Sequence, residues 1–258
     1  MSLSAIKHVV VLMMENRSFD TMLGYLAPSL GADGLTGNEW NPTDTSLVNP
    51  TDAQKVWVWR SNTDGNYRTN PDAGHGVNDS IYQLYGSFVQ TAAPPTNMGF
   101  MADYLRIQPN LQEAKNIMAC FDPSYLPVLS TLAQNFLVCD RWFSSLPGPT
   151  WPNRFYVHAA TSAGHAETPS DLGQAKEYIL GDTYKMRTIF DNIADAGRSW
   201  RIYYHDVCQA SLIESVGAAH DNLNEYPVDF YDDLDHGNLA DYTFIEPSWV
   251  GAGENDMR

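Results

Sequence analysis

The first clear pattern along the chain is a nearly unbroken apolar, β-branched run, Ile6-Lys7-His8-Val9-Val10-Val11-Leu12-Met13-Met14. A half-exposed strand would alternate polar and apolar positions, so this run predicts a strand covered on both faces, as in a parallel sheet. The polar Glu15-Asn16-Arg17-Ser18 stands at its carboxyl end, and residues 19–26 can turn into a helix. Residues 28–80 are rich in Gly, Pro, Asn, Asp and Thr and show no helical period, which predicts long loops with short strands around Val56-Trp57-Val58-Trp59. Helical spacing returns from Asp79 through Tyr82, Leu84, Tyr85 and Phe88, and again over 100–105. It recurs at Leu126, Leu129, Leu132 and Ala133, with Asp122-Pro123 or Ser124 as a start.

Phe136-Leu137-Val138-Cys139 predicts a second buried strand. A loop with Pro147, Gly148 and Pro149 leads to a helix over about 151–160. An amphipathic helix over 188–196, stopped by Gly197, precedes a third strand, Trp200-Arg201-Ile202-Tyr203-Tyr204, and Tyr242-Thr243-Phe244-Ile245 reads as a fourth. Strands alternating with helices imply an α/β fold with a mainly parallel sheet flanked by helices and long loop insertions. No repeat or linker interrupts it, so one domain over residues 1–258 is expected.

Composition changes this picture mainly through charge. With 31 acidic and 15 basic residues the formal net charge is −16, a field that repels nucleic acid and anionic membranes. No basic run offsets it, so no nucleic-acid partner is expected. An anionic substrate would need something locally positive, and a bound cation is the natural candidate. The apolar run over 9–14 is too short to cross a bilayer and ends in Glu15-Asn16-Arg17 rather than a cleavage site. As it stands the chain reads as cytoplasmic, or as secreted or periplasmic if a leader has been removed. Cys120, Cys139 and Cys208 are far apart with no CxxC, which predicts buried free thiols, with one disulfide as the alternative.

In open α/β sheets, ligands gather outside the carboxyl ends of the strands. The first strand delivers Glu15 and Asn16 there, the second leads to Thr150, the third delivers His205-Asp206 and the fourth Glu246. Thr150 has two readings. It suits a helix N-cap, with Pro152 in the first turn. Equally, a hydroxyl at a helix N-terminus faces free N–H groups where a phosphate would bind, and a metal ion on it would make it a nucleophile. His75 lies in a Gly-flanked loop, either solvated or touching phosphate. His158, inside a helix, reads as structural, and His165, His220 and His236 show no partner spacing. There is no HExxH, P-loop or GxSxG. The acid-rich stretch 229–241 lacks the calcium-loop pattern and predicts a solvated loop.

Several stretches together carry a resemblance. One is Ile6 through Glu15-Asn16-Arg17-Ser18-Phe19-Asp20. Another runs from Leu126-Pro127-Val128-Leu129 through Trp142-Phe143-Ser144-Ser145 to Pro147-Gly148-Pro149-Thr150-Trp151-Pro152-Asn153-Arg154. Asp72-Ala73-Gly74-His75 and Tyr242-Thr243-Phe244-Ile245-Glu246-Pro247 with Asn255-Asp256 complete it. In that order they resemble the N-terminal portion of the bacterial phosphoesterase family of non-hemolytic phospholipases C and acid phosphatases, in the alkaline phosphatase-like superfamily.

The resemblance implies a metal-dependent phosphoric ester hydrolase acting on a phosphate ester or phospholipid. Thr150 would be the nucleophile of a phosphothreonine intermediate. Glu15, with Asn16 and Thr150, would hold a divalent metal ion. Asn16, His75 and Asn153 would contact phosphoryl oxygens, His205 would help the leaving group, and Glu246 would line the site. Threonine as nucleophile, with Trp142, Phe143, Trp151 and Phe155 around it, leans toward glycerophospholipid headgroups. A phosphomonoesterase of the acid phosphatase type is the alternative. Relatives continue past the Asn-Asp landmark with a His-Pro pair and an Asp-Glu-His-Gly-Gly segment carrying further metal ligands. The chain, which ends at Arg258, is therefore expected to lack its C-terminal part, with weak metal binding, and an inactive binding domain is the third reading.

Overall fold

The structure, a computed structural model, describes residues 5–15, 17–61, 69–169 and 184–248. Asn16 and Asn255-Asp256 lie outside the described residues. In chain order the elements begin with β1 (Val9–Leu12), α1 (Phe19–Leu23), β2 (Trp40–Pro42), β3 (Lys55–Trp57), β4 (Trp59–Ser61), α2 (Val77–Tyr85) and α3 (Phe100–Tyr104). They continue with α4 (Leu111–Ala114), β5 (Ala119–Phe121), α5 (Pro127–Asn135), α6 (Thr150–Ala159) and α7 (Ile189–Asp195). Then come β6 (Trp200–Tyr204), α8 (Glu214–Gly217), β7 (Leu223–Glu225), α9 (Val228–His236) and β8 (Tyr242–Ile245). The chain gathers into two compact units, one of Met1–Asn16 with Thr150–Arg258 and one of Arg17–Pro149.

The first unit holds a four-stranded sheet in the order β1-β8-β6-β7, every pair parallel. Its register lines up Val11, Phe244, Ile202 and Leu223 in one row across the four strands. That row faces a core of Phe155, Phe190, Trp200, Ile202, Ile213, Val216 and Phe244, to which α6 contributes Phe155 and α7 contributes Phe190. The α/β class with a mainly parallel sheet is as the alternation of strands and helices implies.

Three expectations about this unit need correction or sharpening. The run predicts a β1 covered on both faces, yet among the described strands β1 stands at the sheet's edge, with Val9, Val10 and Leu12 exposed; Val11 and Met13 pack against the core. An unbroken apolar run cannot report which strand stands at an edge. The stretch 229–241, expected to be a loop, is largely the helix α9. Its acidic side chains are not all solvated, since Asp233 pairs with Arg201 and accepts a hydrogen bond from the Tyr203 hydroxyl at 2.7 Å, while Phe230 packs edge-on against Tyr203. Gly237, at φ 71°, ends that helix in the left-handed region where a side chain would be strained. The helix expected over 188–196 is α7, with Thr188 as its cap in a box with Asp191.

The second unit pairs β2 with β3 antiparallel and β4 with β5 parallel. Its core is Val56, Met101, Tyr104, Ala114 and Met118. Helices α2 and α3 approach closely where Gly99 stands: a Cβ there would lie 1.9 Å from the Tyr82 carbonyl oxygen. The second buried strand expected at Phe136-Leu137-Val138-Cys139 does not form. The Phe136 N–H is taken by the Leu132 carbonyl at 2.9 Å as α5 ends, and Phe136 and Leu137 are 72% and 91% exposed. All three cysteines are free, as expected, but only Cys120 and Cys208 are buried; Cys139, on this same stretch, is exposed.

Candidate active site

The first unit runs through Asn16 and resumes at Thr150, so β1 leads out of it and α6 leads back in. β1 gives way at Met13, whose N–H reaches the Ile245 carbonyl at 3.4 Å, and Glu15 follows two residues on. Helix α6 is held by Phe155, fully buried and 4.4 Å ring to ring from Tyr184. Residues four apart on a helix share a face. On α6 that face carries Thr150, Arg154 and His158.

The Thr150 hydroxyl donates to Glu15 Oε1 at 3.1 Å. Arg154, fully buried, donates from Nε to Glu15 Oε2 at 2.9 Å and from Nη2 to the Met13 carbonyl at 3.1 Å. Glu15 thus has one oxygen toward the hydroxyl and one toward the guanidinium. The helix's first turn does not depend on the Thr150 hydroxyl: Trp151 N–H donates to Thr168 Oγ1 at 3.1 Å, and Pro152 has no N–H to satisfy. The Trp151 amide is therefore not free for a phosphate, contrary to the expectation for this helix end. Asn153 lies half-buried one turn from Thr150.

His158 is a core residue, as expected. It is 1% exposed, its ring lies 4.7 Å from that of Phe244 and 5.4 Å from that of Phe190, and neither ring nitrogen has a hydrogen-bond partner among the described residues. Burial, with the Arg154 charge second, pushes its pKa down to about 3, so it stays neutral.

The remaining candidates are described each in its own surroundings. His205 is exposed immediately after β6. Glu246, immediately after β8, is buried, and its carboxylate accepts the backbone N–H of Gln209 at 2.7 Å and of Ala210 at 3.0 Å. That ties the segment after β6 to the end of β8. His75 belongs to the second unit and is exposed, its Nδ1 2.9 Å from the Ala73 carbonyl. Its loop is nonetheless firmly built: Tyr104, Gln83 and Gln108 donate side-chain hydrogen bonds to the carbonyls of Pro71, Gly74 and Asn70 at 2.7, 2.7 and 2.8 Å.

Arg154, which the motif alone gives no role, is the further residue that contacts Glu15. Its spacing of four from Thr150 was the available signal. For a divalent ion, the described residues contain no group of three or more His, Cys, Asp or Glu side chains. The pair does fit one edge of a metal shell: adjacent ligands at the usual octahedral bond lengths stand about 3 Å apart, and Glu15 Oε1 and Thr150 Oγ1 are 3.1 Å apart.

A parallel α/β sheet with a helix-borne hydroxyl facing a carboxylate beyond a strand's carboxyl end defines an α/β protein that concentrates its polar chemistry on that side of the sheet. The sequence model of the Phosphoesterase family matches residues 6–257, and the chain belongs to that family. Among similar proteins, non-specific phospholipase C1 of Arabidopsis thaliana is 36% identical over 244 residues, 93% of this chain and 43% of the relative. Non-specific phospholipase C3 of the same plant is 34% identical over 99% of this chain and 48% of its own length. Phospholipase C B of Mycobacterium tuberculosis is 28% identical over 96% of this chain and 51% of its own. The chain therefore spans about half the length of the curated relatives it matches. Among the described residues no helix is long and apolar enough to cross a membrane.

Proposed function

We propose that this chain carries the nucleophile of a phospholipase C-type phosphoric ester hydrolase, with Thr150 attacking phosphorus and Glu15 aligning it. The hydrogen bond from the Thr150 hydroxyl to Glu15 Oε1 carries the reading. It turns the hydroxyl proton inward to the carboxylate and leaves the oxygen lone pairs free to meet a phosphoryl group. The names of the relatives support a phospholipid over a simple monoester as substrate.

In the proposed double displacement, Thr150 Oγ1 forms a bond to phosphorus as the P–O bond to diacylglycerol breaks and that alcohol leaves with a proton; water then breaks the Thr150 Oγ1–P bond, releasing the phosphorylated headgroup and restoring the hydroxyl. Glu15 and Thr150, with Asn16, would hold a divalent ion. Bound there, the ion would lower the hydroxyl's pKa and offset the charge of the phosphoryl oxygens. Asn153, one turn into α6, and His75 are the proposed phosphoryl contacts, and His205 the proposed aid to the leaving group.

The test compares Thr150→Ala, Thr150→Ser and wild type on phosphatidylcholine and on an aryl phosphate. Thr150→Ala should lose turnover by several orders of magnitude, as expected for a covalent nucleophile. Because Trp151 is capped by Thr168, the fold should lose little, no more than the ~1 kcal/mol of an ordinary cap. Thr150→Ser should keep part of the activity. Near-normal turnover by Thr150→Ala would sink the assignment, and activity confined to the aryl phosphate would replace the lipid reading with a phosphomonoesterase.

A further inference from the structure

We propose that Arg154 is a positioning residue: it clamps Glu15 so that one carboxylate oxygen is presented to Thr150 and to a cation. The proposal rests on the reading of Thr150 and Glu15 given above and deepens it.

Arg154 is fully buried, and a guanidinium in that setting is costly unless it is paired and hydrogen-bonded. Two of its bonds run to a single short segment after β1, from Nε to Glu15 Oε2 at 2.9 Å and from Nη2 to the Met13 carbonyl at 3.1 Å. The guanidinium is planar with a fixed fork of donors, so two bonds to acceptors two residues apart hold that segment in register with α6. The consequence for Glu15 is directional. With Oε2 engaged, only Oε1 is turned to Thr150, at 3.1 Å. A glutamate has three side-chain torsions, and at 16% exposure Glu15 has room to swing away if Oε2 is released.

Helix geometry links the two partners. Thr150 and Arg154 stand one turn apart on α6, so the element that carries the hydroxyl also carries the clamp. Any movement of the helix start is coupled to the carboxylate it must meet. Hydrogen bonds of this kind orient metal-ligating carboxylates, and their loss usually costs about 10- to 100-fold in metal affinity or activity. Arg154 also supplies a buried positive charge beside Glu15, but charge alone does not reproduce the fork. A lysine would keep the charge as a point and could not span both acceptors in the same geometry.

The experiment measures Mn2+ affinity by equilibrium dialysis, kcat and KM on phosphatidylcholine, and melting temperature for wild type, Arg154→Lys and Glu15→Gln. The clamp predicts that Arg154→Lys stays folded, loses about 10-fold or more in Mn2+ affinity and, with Mn2+ saturating, in kcat, and under that condition keeps KM within a few fold. A residue needed only for packing would lower the melting temperature and leave Mn2+ affinity of the folded protein unchanged; that result overturns the proposal. If Arg154→Lys does not fold, Arg154→Gln removes the buried charge, retains one donor and takes the same measurements. The two readings fail differently. If Glu15→Gln binds Mn2+ as wild type does, the cation role of Glu15 fails and the clamp falls with it. If Glu15→Gln loses the ion while the Arg154 variants keep it, only the clamp fails.

Discussion

Replacing His158 by leucine should remove a large part of the acid sensitivity of the first unit. The imidazole is 1% exposed, packs against the rings of Phe190 and Phe244, and has no hydrogen-bond partner on either nitrogen among the described residues. Burial first, and the neighbouring Arg154 charge second, push its pKa from the ordinary 6.5 down to about 3. Between those two values the unfolded chain binds a proton that the folded one refuses, so stability rises with pH across that window. The contribution is complete above about 6.5 and is lost progressively as the pH falls toward 3. At pH 5 the unfolded-state protonation alone costs the fold about 2 kcal/mol, a large share of the ordinary stability of a domain. Leucine has nearly the same volume and no proton to take up, so at pH 8 the exchange should change stability by less than about 1.5 kcal/mol in either direction. Urea denaturation of both proteins at pH 8, 6 and 5, followed by tryptophan fluorescence, isolates the effect, because every other titrating group is common to the pair. The wild type should lose about 2 kcal/mol more than His158→Leu between pH 8 and pH 5. Parallel stability curves would refute the argument and would mean that the imidazole is protonated or solvated in the folded protein.

Glu246→Gln should cost about 2–4 kcal/mol, because the carboxylate accepts two backbone amides and a carboxamide would turn an N–H toward one of them. Faster amide exchange at Gln209 and Ala210 would accompany that loss, whereas lowered activity at unchanged stability would favour Glu246 as a residue lining the substrate's site. Toward a disulfide reagent at pH 8, Cys139 should react first and by itself, since it is exposed while burial pushes the Cys120 thiol up to about 12 and raises that of Cys208 as well. Three thiols reacting at one rate would contradict that arrangement.

What could be read from the residues followed the range of the interactions that decide it. Local periodicity was enough for the helices over Val77–Tyr85, Phe100–Tyr104 and Thr150–Ala159 and for the strands Trp200–Tyr204 and Tyr242–Ile245, because each carries its own pattern. β1 was recognisable as a strand, but its place at the sheet edge depends on the order β1-β8-β6-β7, which joins the chain's start to residues more than 200 positions away. Phe136-Leu137-Val138-Cys139 has the composition of a strand, but no described strand pairs with it. The opposite error occurred at α9, where Asp229, Asp232, Asp233 and Asp235 suggested a solvated loop. The stripe that carries the helix, Phe230 with Asp233 against Arg201 and Tyr203, combines apolar contact with an ion pair that hydrophobic patterning does not register. At the candidate site, motif and strand end point to Thr150 and Glu15, while the contacts of Arg154 to Met13 and Glu15 are tertiary and leave no mark in the local pattern.

The stretch Pro149-Thr150-Trp151-Pro152 also shows how a hydroxyl at a helix start can be released from the helix. A capping threonine accepts a hydrogen bond from an amide in the first turn. Here Thr168 takes the Trp151 amide and Pro152 presents none, so Thr150 can act as a donor, and it donates to Glu15. Beyond that carboxylate stands a buried guanidinium of opposite charge. The hydroxyl–carboxylate–guanidinium series therefore sums to no net charge, inside a chain whose formal charge is −16. A phosphoryl group approaching Thr150 meets a carboxylate already neutralised at short range, and the long-range repulsion is screened by salt over about 10 Å. Neutralising Glu15 removes an obstacle to an anion but supplies no attraction of its own. In this arrangement the attraction falls to a cation shared by Glu15 Oε1 and Thr150, so substrate binding should follow cation occupancy more steeply than it follows ionic strength.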